Sequence, residues 1–265
     1  MGNVITELGK LIFLAEAEIP ANPESAKNQK FEKDYRKVLS EYFRNLSKAL
    51  PYSQIVDLYS RSIKEAGPTG EAKDLLTPIL QIFRTKLLTE LIGHHVSIYL
   101  SGSAEVTSWG MTKTGRYIDY EGPPMQQAIE YARQHCAQLV TKMDDESKTR
   151  IAQVIADGIE NKIGIDGLER DLRATFMDMS GTRAEMIART ETCDALEQAF
   201  MDRAEELGID GKEWVVLSPC PICEENAAAG PIGIDETFPS GDIRPPAHPN
   251  CRCALSPVLL NKGGK

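Results

Sequence analysis

No stretch of this 265-residue chain carries an excess of basic charge. Lys+Arg against Asp+Glu is 15 against 15 over residues 1–122, 10 against 18 over 123–211 and 5 against 6 over 212–265, so nearly all of the net charge of −9 lies in the middle. Neutralising nucleic-acid phosphates needs a basic surface, because counterion release supplies most non-specific affinity. Nucleic-acid binding is therefore not expected as the primary activity, although Arg244 and Arg252 leave local phosphate contacts open. No apolar run approaches the length of a membrane span. The start, Met1 to Glu7, lacks the basic residues and apolar run of a secretory signal. Synthesis in the cytoplasm and reduced thiols are the expectation.

Against these absences, the segment from Trp214 to Pro257 concentrates thiols. Cys220-Pro221-Ile222-Cys223 is followed by a Gly- and Pro-rich loop and then by His248-Pro249-Asn250-Cys251-Arg252-Cys253. A two-residue gap lets one tight turn aim two donors at a point, and it occurs in both clusters. Pro245, Pro246 and Pro249 stiffen the second, which lowers the entropy lost on ordering it. Cys220, Cys223, His248, Cys251 and Cys253 exceed by one the four donors that tetrahedral zinc takes from Cys and His. The pattern reads as a structural zinc site whose binding energy orders a loop poor in apolar residues. Disulfides and plain reduced thiols are the alternatives. Whether Cys251 or Cys253 is the fourth ligand stays open.

A catalytic metal fits less well, since such sites keep an open coordination position. The Pro219-Cys220-x-x-Cys223 string suggests a zinc deaminase, but that chemistry needs an upstream HxE or CxE. His94, His95, His135, Cys136 and Cys193 all lack a Glu two residues on. No catalytic residues are assigned.

Along the chain, Val4, Ile5, Leu8, Leu11, Ile12 and Ala15 predict a short amphipathic helix stopped by Pro20 and Pro23. Helices are expected from Ser25, as N-cap, to Leu50, from Ser53 to Glu65, and from Glu71 to Tyr99 with Pro78 near its start or at a kink. His94 and His95 then sit near a helix end. Residues 101–122 alternate Gly, Ser and Thr with apolar residues and read as a linker able to hold a β-hairpin. Pro123-Pro124 opens a helix whose apolar face includes Cys136, expected as a buried thiol. Helices at 144–161, 168–177 and 182–207 follow, and Lys212 to Leu217 is expected as a strand joined by strands near Phe238 and Ala254-Leu255. The domain reading is 1–100 helical, 101–122 linker, 123–211 helical, 212–258 Cys/His module and 259–265 tail. The class is mainly α, α+β overall: an N-terminal helical bundle, a central helical domain and a small β-containing zinc-knuckle module.

On the 182–207 helix, Glu191 falls inside the arc of Ala184, Ala188, Ala195 and Ala199. A carboxylate there needs a partner. Arg183, Arg189 or an amide of the metal loop could supply it, and with Trp214 these residues are read as a structural network clamping the helix to the C-terminal module.

Arg183-Ala184-Glu185, Ile187-Ala188-Arg189-Thr190-Glu191, Lys212-x-Trp214, Cys220-x-x-Cys223, Gly230, Phe238 and Pro245-Pro246-Ala247-His248-Pro249-Asn250-Cys251-Arg252-Cys253 occur in this order. Together they resemble the tailed-phage head-morphogenesis family, the Mu F-like minor head proteins, over residues of about 123–258. The resemblance implies a non-enzymatic component inside the phage head, made in the bacterial cytoplasm. Its implied partners are the portal, capsid or scaffold proteins and packaged DNA, and its implied role is in head assembly and DNA packaging or delivery. Some relatives add an injected effector domain. Here the chain ends soon after Cys253, and no such domain is expected.

Overall fold

The computed structural model describes residues 19–65, 70–114, 124–217 and 220–260. The expected helix at 4–18 lies outside the described residues. In chain order the elements are α1 (Ala26–Lys48), α2 (Tyr52–Glu65), α3 (Gly70–Thr114), α4 (Met125–Glu160), α5 (Ile165–Asp178), a π-helical turn (Met179–Arg183), α6 (Ala184–Leu207), β1 (Gly211–Val215), α7 (Pro221–Ala228), β2 (Ile232–Gly233) and β3 (Ala254–Val258). The chain is mainly helical, with one antiparallel three-stranded sheet among the described residues. No helix among them is long and apolar enough to cross a membrane.

The contacts divide the chain into two compact units that are discontinuous in sequence. One is built from Tyr35–Gly93 and Glu130–Glu185; the other takes the chain up to Asp34, His94–Ile129 and Met186 onward.

In the first unit, α1 buries Tyr35, Leu39, Tyr42, Phe43 and Leu46, one helical face at three- and four-residue steps. The Tyr42 hydroxyl donates to Asp144 Oδ1 at 3.0 Å, and Arg84 donates to Asp144 Oδ2 at 2.8 Å. The chain around Asp144 thus stays helical: a single α4 replaces the two helices expected at 123–143 and 144–161. Asp is a poor residue for a helix interior, and here it is held by tertiary partners that periodicity cannot reveal. Burial raises the carboxyl of Asp144, against the hydrogen bonds from Tyr42 and Arg84 that lower it. Near the end of α4, a Cβ on Gly158 would lie 3.1 Å from the Tyr59 ring, and the Tyr59 hydroxyl donates to the Gly158 carbonyl at 2.8 Å. Cys136 is buried, as a thiol on the apolar face should be.

In the second unit, α1 begins as expected, with the Asn28 N–H donating to Ser25 Oγ at 3.2 Å. The linker or hairpin expected from residue 101 is corrected: α3 continues without a break to Thr114, and residues 115–122 of that stretch lie outside the described residues. His94 and His95 therefore sit in mid-helix rather than near its end. The residues that look like helix breakers serve close packing. A Cβ on Gly102 would lie 3.2 Å from Ala199 Cβ and from the Leu196 carbonyl, and one on Gly110 would meet Leu207 Cδ1 at 2.8 Å. Glycine costs about 1 kcal/mol in a helix interior, which the burial of the facing side chains outweighs. Ser103 is buried and accepts from Arg203 Nε at 3.1 Å and from Arg203 Nη2 at 2.9 Å.

α6 is buried nearly all round. Ala188, Ala195 and Ala199 occupy one arc, while Cys193, Glu197, Phe200 and Ala204 occupy the opposite one, and every one of these side chains is fully buried. A helix enclosed on both sides shows no polar face.

The sheet order is β2-β1-β3. β1 pairs with β3 from Gly211↔Val258 to Val215↔Ala254. The return strand near Ala254-Leu255 is present, and Pro257 sits on an edge strand, where its missing donor is tolerated. The strand expected near Phe238 is instead Ile232–Gly233. Phe238 packs its ring 5.0 Å from that of Trp214, edge to face, and beneath the Lys212 ammonium, which is 5.6 Å away. Lys212 is fully buried and donates to the Ile234 carbonyl at 2.6 Å.

Candidate metal centre

The two thiol clusters, 25 residues apart in sequence, meet in the second unit. Cys220 caps the N-terminus of α7: its sulfur accepts the Cys223 N–H at 3.4 Å, and Pro221 takes the first helical position, where no N–H is required. Cys223 then points back toward Cys220 from the first turn. The second clip closes at Asn250, whose φ of 63° turns the chain so that the Cys251 N–H donates to the His248 carbonyl at 3.1 Å. Asn is among the few side chains that accept this left-handed conformation readily.

Cys220 Sγ and Cys223 Sγ lie 3.1 Å and 3.3 Å from His248 Nε2, and Cys223 Sγ lies 3.8 Å from Cys251 Sγ. The donor atoms fall into two overlapping triads, Cys220–Cys223–His248 and Cys223–Cys251–Cys253, each within 4.8 Å. Zinc–sulfur bonds of about 2.3 Å in a tetrahedron give sulfur–sulfur edges of about 3.8 Å and sulfur–nitrogen edges of about 3.5 Å. The observed spacings lie within a few tenths of an ångström of these edges. The group can hold a metal ion.

The chemistry of the donors fits too. His248 Nδ1 lies 2.8 Å from the Pro249 carbonyl, an arrangement in which Nδ1–H donates and the Nε2 lone pair faces the sulfurs. Cys223, Cys251 and Cys253 are at most 1% exposed. Sulfurs packed this closely cannot all be anions unless a cation lies among them. The Cys251 thiol is pushed up, chiefly by donating to Cys253, and that same hydrogen bond draws Cys253 down to about 5. Burial is the main cause that raises Cys223, while the Cys223 amide lowers Cys220. Burial acts against the His248 imidazolium, yet its hydrogen bonds to Pro249 and Cys220 raise it overall.

Loop and helix side chains hold the centre in place. Asn226, buried in α7, donates to Ser240 Oγ at 2.9 Å and accepts the Ser240 N–H at 3.0 Å. Arg244 donates to Asp194 Oδ1 at 2.8 Å and to Gln198 Oε1 at 3.0 Å on α6. The Asn250 N–H donates to Thr190 Oγ1 at 3.0 Å. Arg252 reaches Glu24 at 2.6 Å and Glu32 at 3.2 Å.

The residues read as a structural network have the following contacts. Arg183 belongs to the other unit, where it is buried, donates to Glu146 at 2.7 Å and to Ser147 Oγ at 3.1 Å, and faces the Phe43 ring. Arg189 pairs with Glu32 at 3.2 Å, which also receives Arg252. Glu191 is 12% exposed and its Oε2 lies 3.4 Å from His95 Nε2, a partner outside those sought by sequence reading. Trp214 is buried beside Phe238 and faces the Cys253 sulfur.

Sequence reading missed Cys193 and Glu197. The Cys193 thiol donates to the Cys253 carbonyl at 3.5 Å, and the fully buried Glu197 accepts the Leu255 N–H at 3.1 Å. Burial raises both groups well above their usual ranges. Both lie on the arc of α6 opposite its alanines. The available signal was the apolar content of that second arc, Cys193, Phe200 and Ala204, which marks a helix covered on both sides.

Residues 149–256 match the family model described as phage Mu protein F like protein. The chain carries a phage Mu protein F-like region. That region runs from within α4 into β3, and it contains the π-helical turn, α6, β1, β2 and all five donors. It is narrower at its N-terminal side than the 123–258 span suggested by the motifs. No curated protein and no solved structure matches the chain.

Proposed function

We propose that this chain is a minor head protein of a tailed phage. It acts without catalysing a reaction, inside the procapsid or virion near the portal, in head assembly and in DNA packaging or delivery. The observation that carries this reading is the Mu F-like match, which spans the α6 motif and the complete donor cluster. Its partners are portal, capsid or scaffold subunits, with packaged DNA as a further contact, and it is made in the host bacterial cytoplasm.

The metal in this reading is structural zinc, held by donors among Cys220, Cys223, His248, Cys251 and Cys253. Zinc supplies a fixed tetrahedral crosslink between the two clips. The burial of three of the four thiols supports a structural role, because a catalytic ion needs a coordination position that substrate can reach. Around it, His248 orients its ring through Pro249, and Arg244 and Arg252 tie the loop to helices. The resulting surface is rigid enough for neighbouring subunits to grip.

Mass spectrometry of purified procapsids and mature particles tests the reading. The chain is expected in at least one of the two; its absence from both would sink the proposal.

A further inference from the structure

The charge balance over residues 1–122 conceals a local excess: between Ala26 and Lys48, α1 carries seven Lys and Arg against three Asp and Glu. The expected lack of any basic stretch is thereby corrected at the scale of one helix, and folding sorts these charges further. We infer that the outward row Lys30, Lys33, Lys37, Arg44 and Lys48 on α1 is a docking surface for the phosphate backbone of double-stranded DNA. This gives a surface to the DNA contact in the head-protein reading above, and rests on that reading for the source of the DNA.

Steps of three, four, seven and four residues keep the five cations within an arc of about 60° on a helix of 3.6 residues per turn. They span about 27 Å of its axis. All five are exposed, on the side opposite the buried Tyr35, Leu39, Tyr42, Phe43 and Leu46. Because they sit on one unbroken helix, the helix itself sets their spacing.

The other two cations of α1 are paired, Lys27 with Glu105 and Arg36 with Glu185, both at 3.1 Å. Lys30, Lys33, Lys37 and Lys48 have no ion pair among the described residues, and Arg44 uses only Nε, which donates to the Ser40 carbonyl at 3.1 Å. Of the three acids, Glu32 is taken by Arg189 and Arg252, and Glu41 lies 3.9 Å from Lys86 on α3; Asp34 alone borders the row unpaired among the described residues. Like charges at these steps repel one another mildly, a cost that an anionic partner removes.

The chemistry of the surface selects the partner. Protein interfaces have apolar cores and are depleted in Lys, and α1 exposes no large apolar side chain. A DNA duplex carries about one phosphate charge per 1.7 Å of axis, so phosphates are at hand along the whole row whatever the base sequence. Contacts of this kind release counterions and carry no sequence information.

The test is fluorescence anisotropy of a labelled duplex titrated with the full chain at several salt concentrations. Up to five phosphate contacts give a slope of log K against log salt of at most about −4.5, an affinity loss of up to about 500-fold between about 50 and 200 mM. Lys33→Gln, Lys37→Gln and Arg44→Gln, all at exposed helix positions that tolerate Gln, are each expected to reduce the size of that slope by about 0.9. The triple variant is expected to bind about 10-fold more weakly or worse at low salt. Lys142→Gln, at an exposed lysine of α4, is expected to change neither quantity. No binding by wild type at about 50 mM salt, an unchanged slope in all three variants, or tighter binding of polyglutamate than of the duplex would overturn the inference. The wild-type titrations decide even if a variant misfolds. None of these measurements depends on particle composition, so failure here leaves the head-protein reading intact, while absence of the chain from particles overturns that reading and leaves the titrations to judge the DNA contact.

Discussion

Gly102 in α3 and Ala199 in α6 approach so closely that a Cβ on the glycine would stand 3.2 Å from the alanine's own Cβ. Gly110, two turns on, meets only the mobile end of Leu207. The two glycines should therefore respond differently to substitution. Gly110→Ala is expected to be neutral or stabilising by up to about 1 kcal/mol, through helix propensity. Gly102→Leu must displace the Leu196 carbonyl as well as Ala199, and is expected to destabilise by about 1–3 kcal/mol. Urea denaturation of both variants checks the contrast.

Removal of metal should act locally. About one zinc per chain is expected in freshly purified protein by elemental analysis. Cys220→Ser or a chelator should release it and speed amide exchange across residues 220–253, while the exchange of α2 and α5 changes little, because their unit has its own buried core. Uniform loss of protection over the whole chain would contradict this.

Lys212 gives the sheet a pH signature. Burial depresses its ammonium to about 8, with Asp235 and Glu236 pulling the other way. Between about pH 8 and the unfolded value near 10.4 the unfolded state holds the proton and the folded state does not, so stability rises with pH. The cost of burying the charge is present below about pH 8. Wild type should gain on Lys212→Met by on the order of 2 kcal/mol between pH 7.5 and 10. Parallel denaturation curves at the two pH values measure it, and a difference independent of pH would refute it.

Arg252 and Arg189 share Glu32, and Arg252 also holds Glu24. These pairs are part-exposed, so Arg252→Ala is expected to cost about 1 kcal/mol rather than the several expected of a fully buried pair. A double-mutant cycle with Glu32→Gln should give a coupling of about 0.5–1 kcal/mol that falls at high salt.

Local features were legible before any coordinates. The Ser25 cap, the buried thiol of Cys136, the Trp214 strand, the Ala254-Leu255 return and the two donor clips each follow from a few adjacent residues whose conformational preferences agree. The motifs also pointed to the Mu F-like region, because ordered residue types survive any ignorance of how the chain is folded.

What failed had a common cause. Gly102 and Ser103 read as a linker because a window of sequence counts glycine as a breaker, whereas α6 makes the glycine necessary. Asp144 read as a helix start because its partners, Tyr42 and Arg84, are about 100 and 60 residues away. His95 goes unnamed as a neighbour of Glu191, because it comes from a distant turn of α3. Glu197 escaped notice because its burial depends on β3 covering the far side of α6.

The amino-acid sequence by itself determined which residues could ligate a metal, where most elements begin and which family pattern they form, since these depend on neighbours along the chain. Tertiary structure alone decided that the two clips meet, that α3 runs unbroken to Thr114 and that α6 is enclosed on both faces. Those outcomes depend on surfaces brought together from far apart in the chain, and no local preference encodes what will lie opposite.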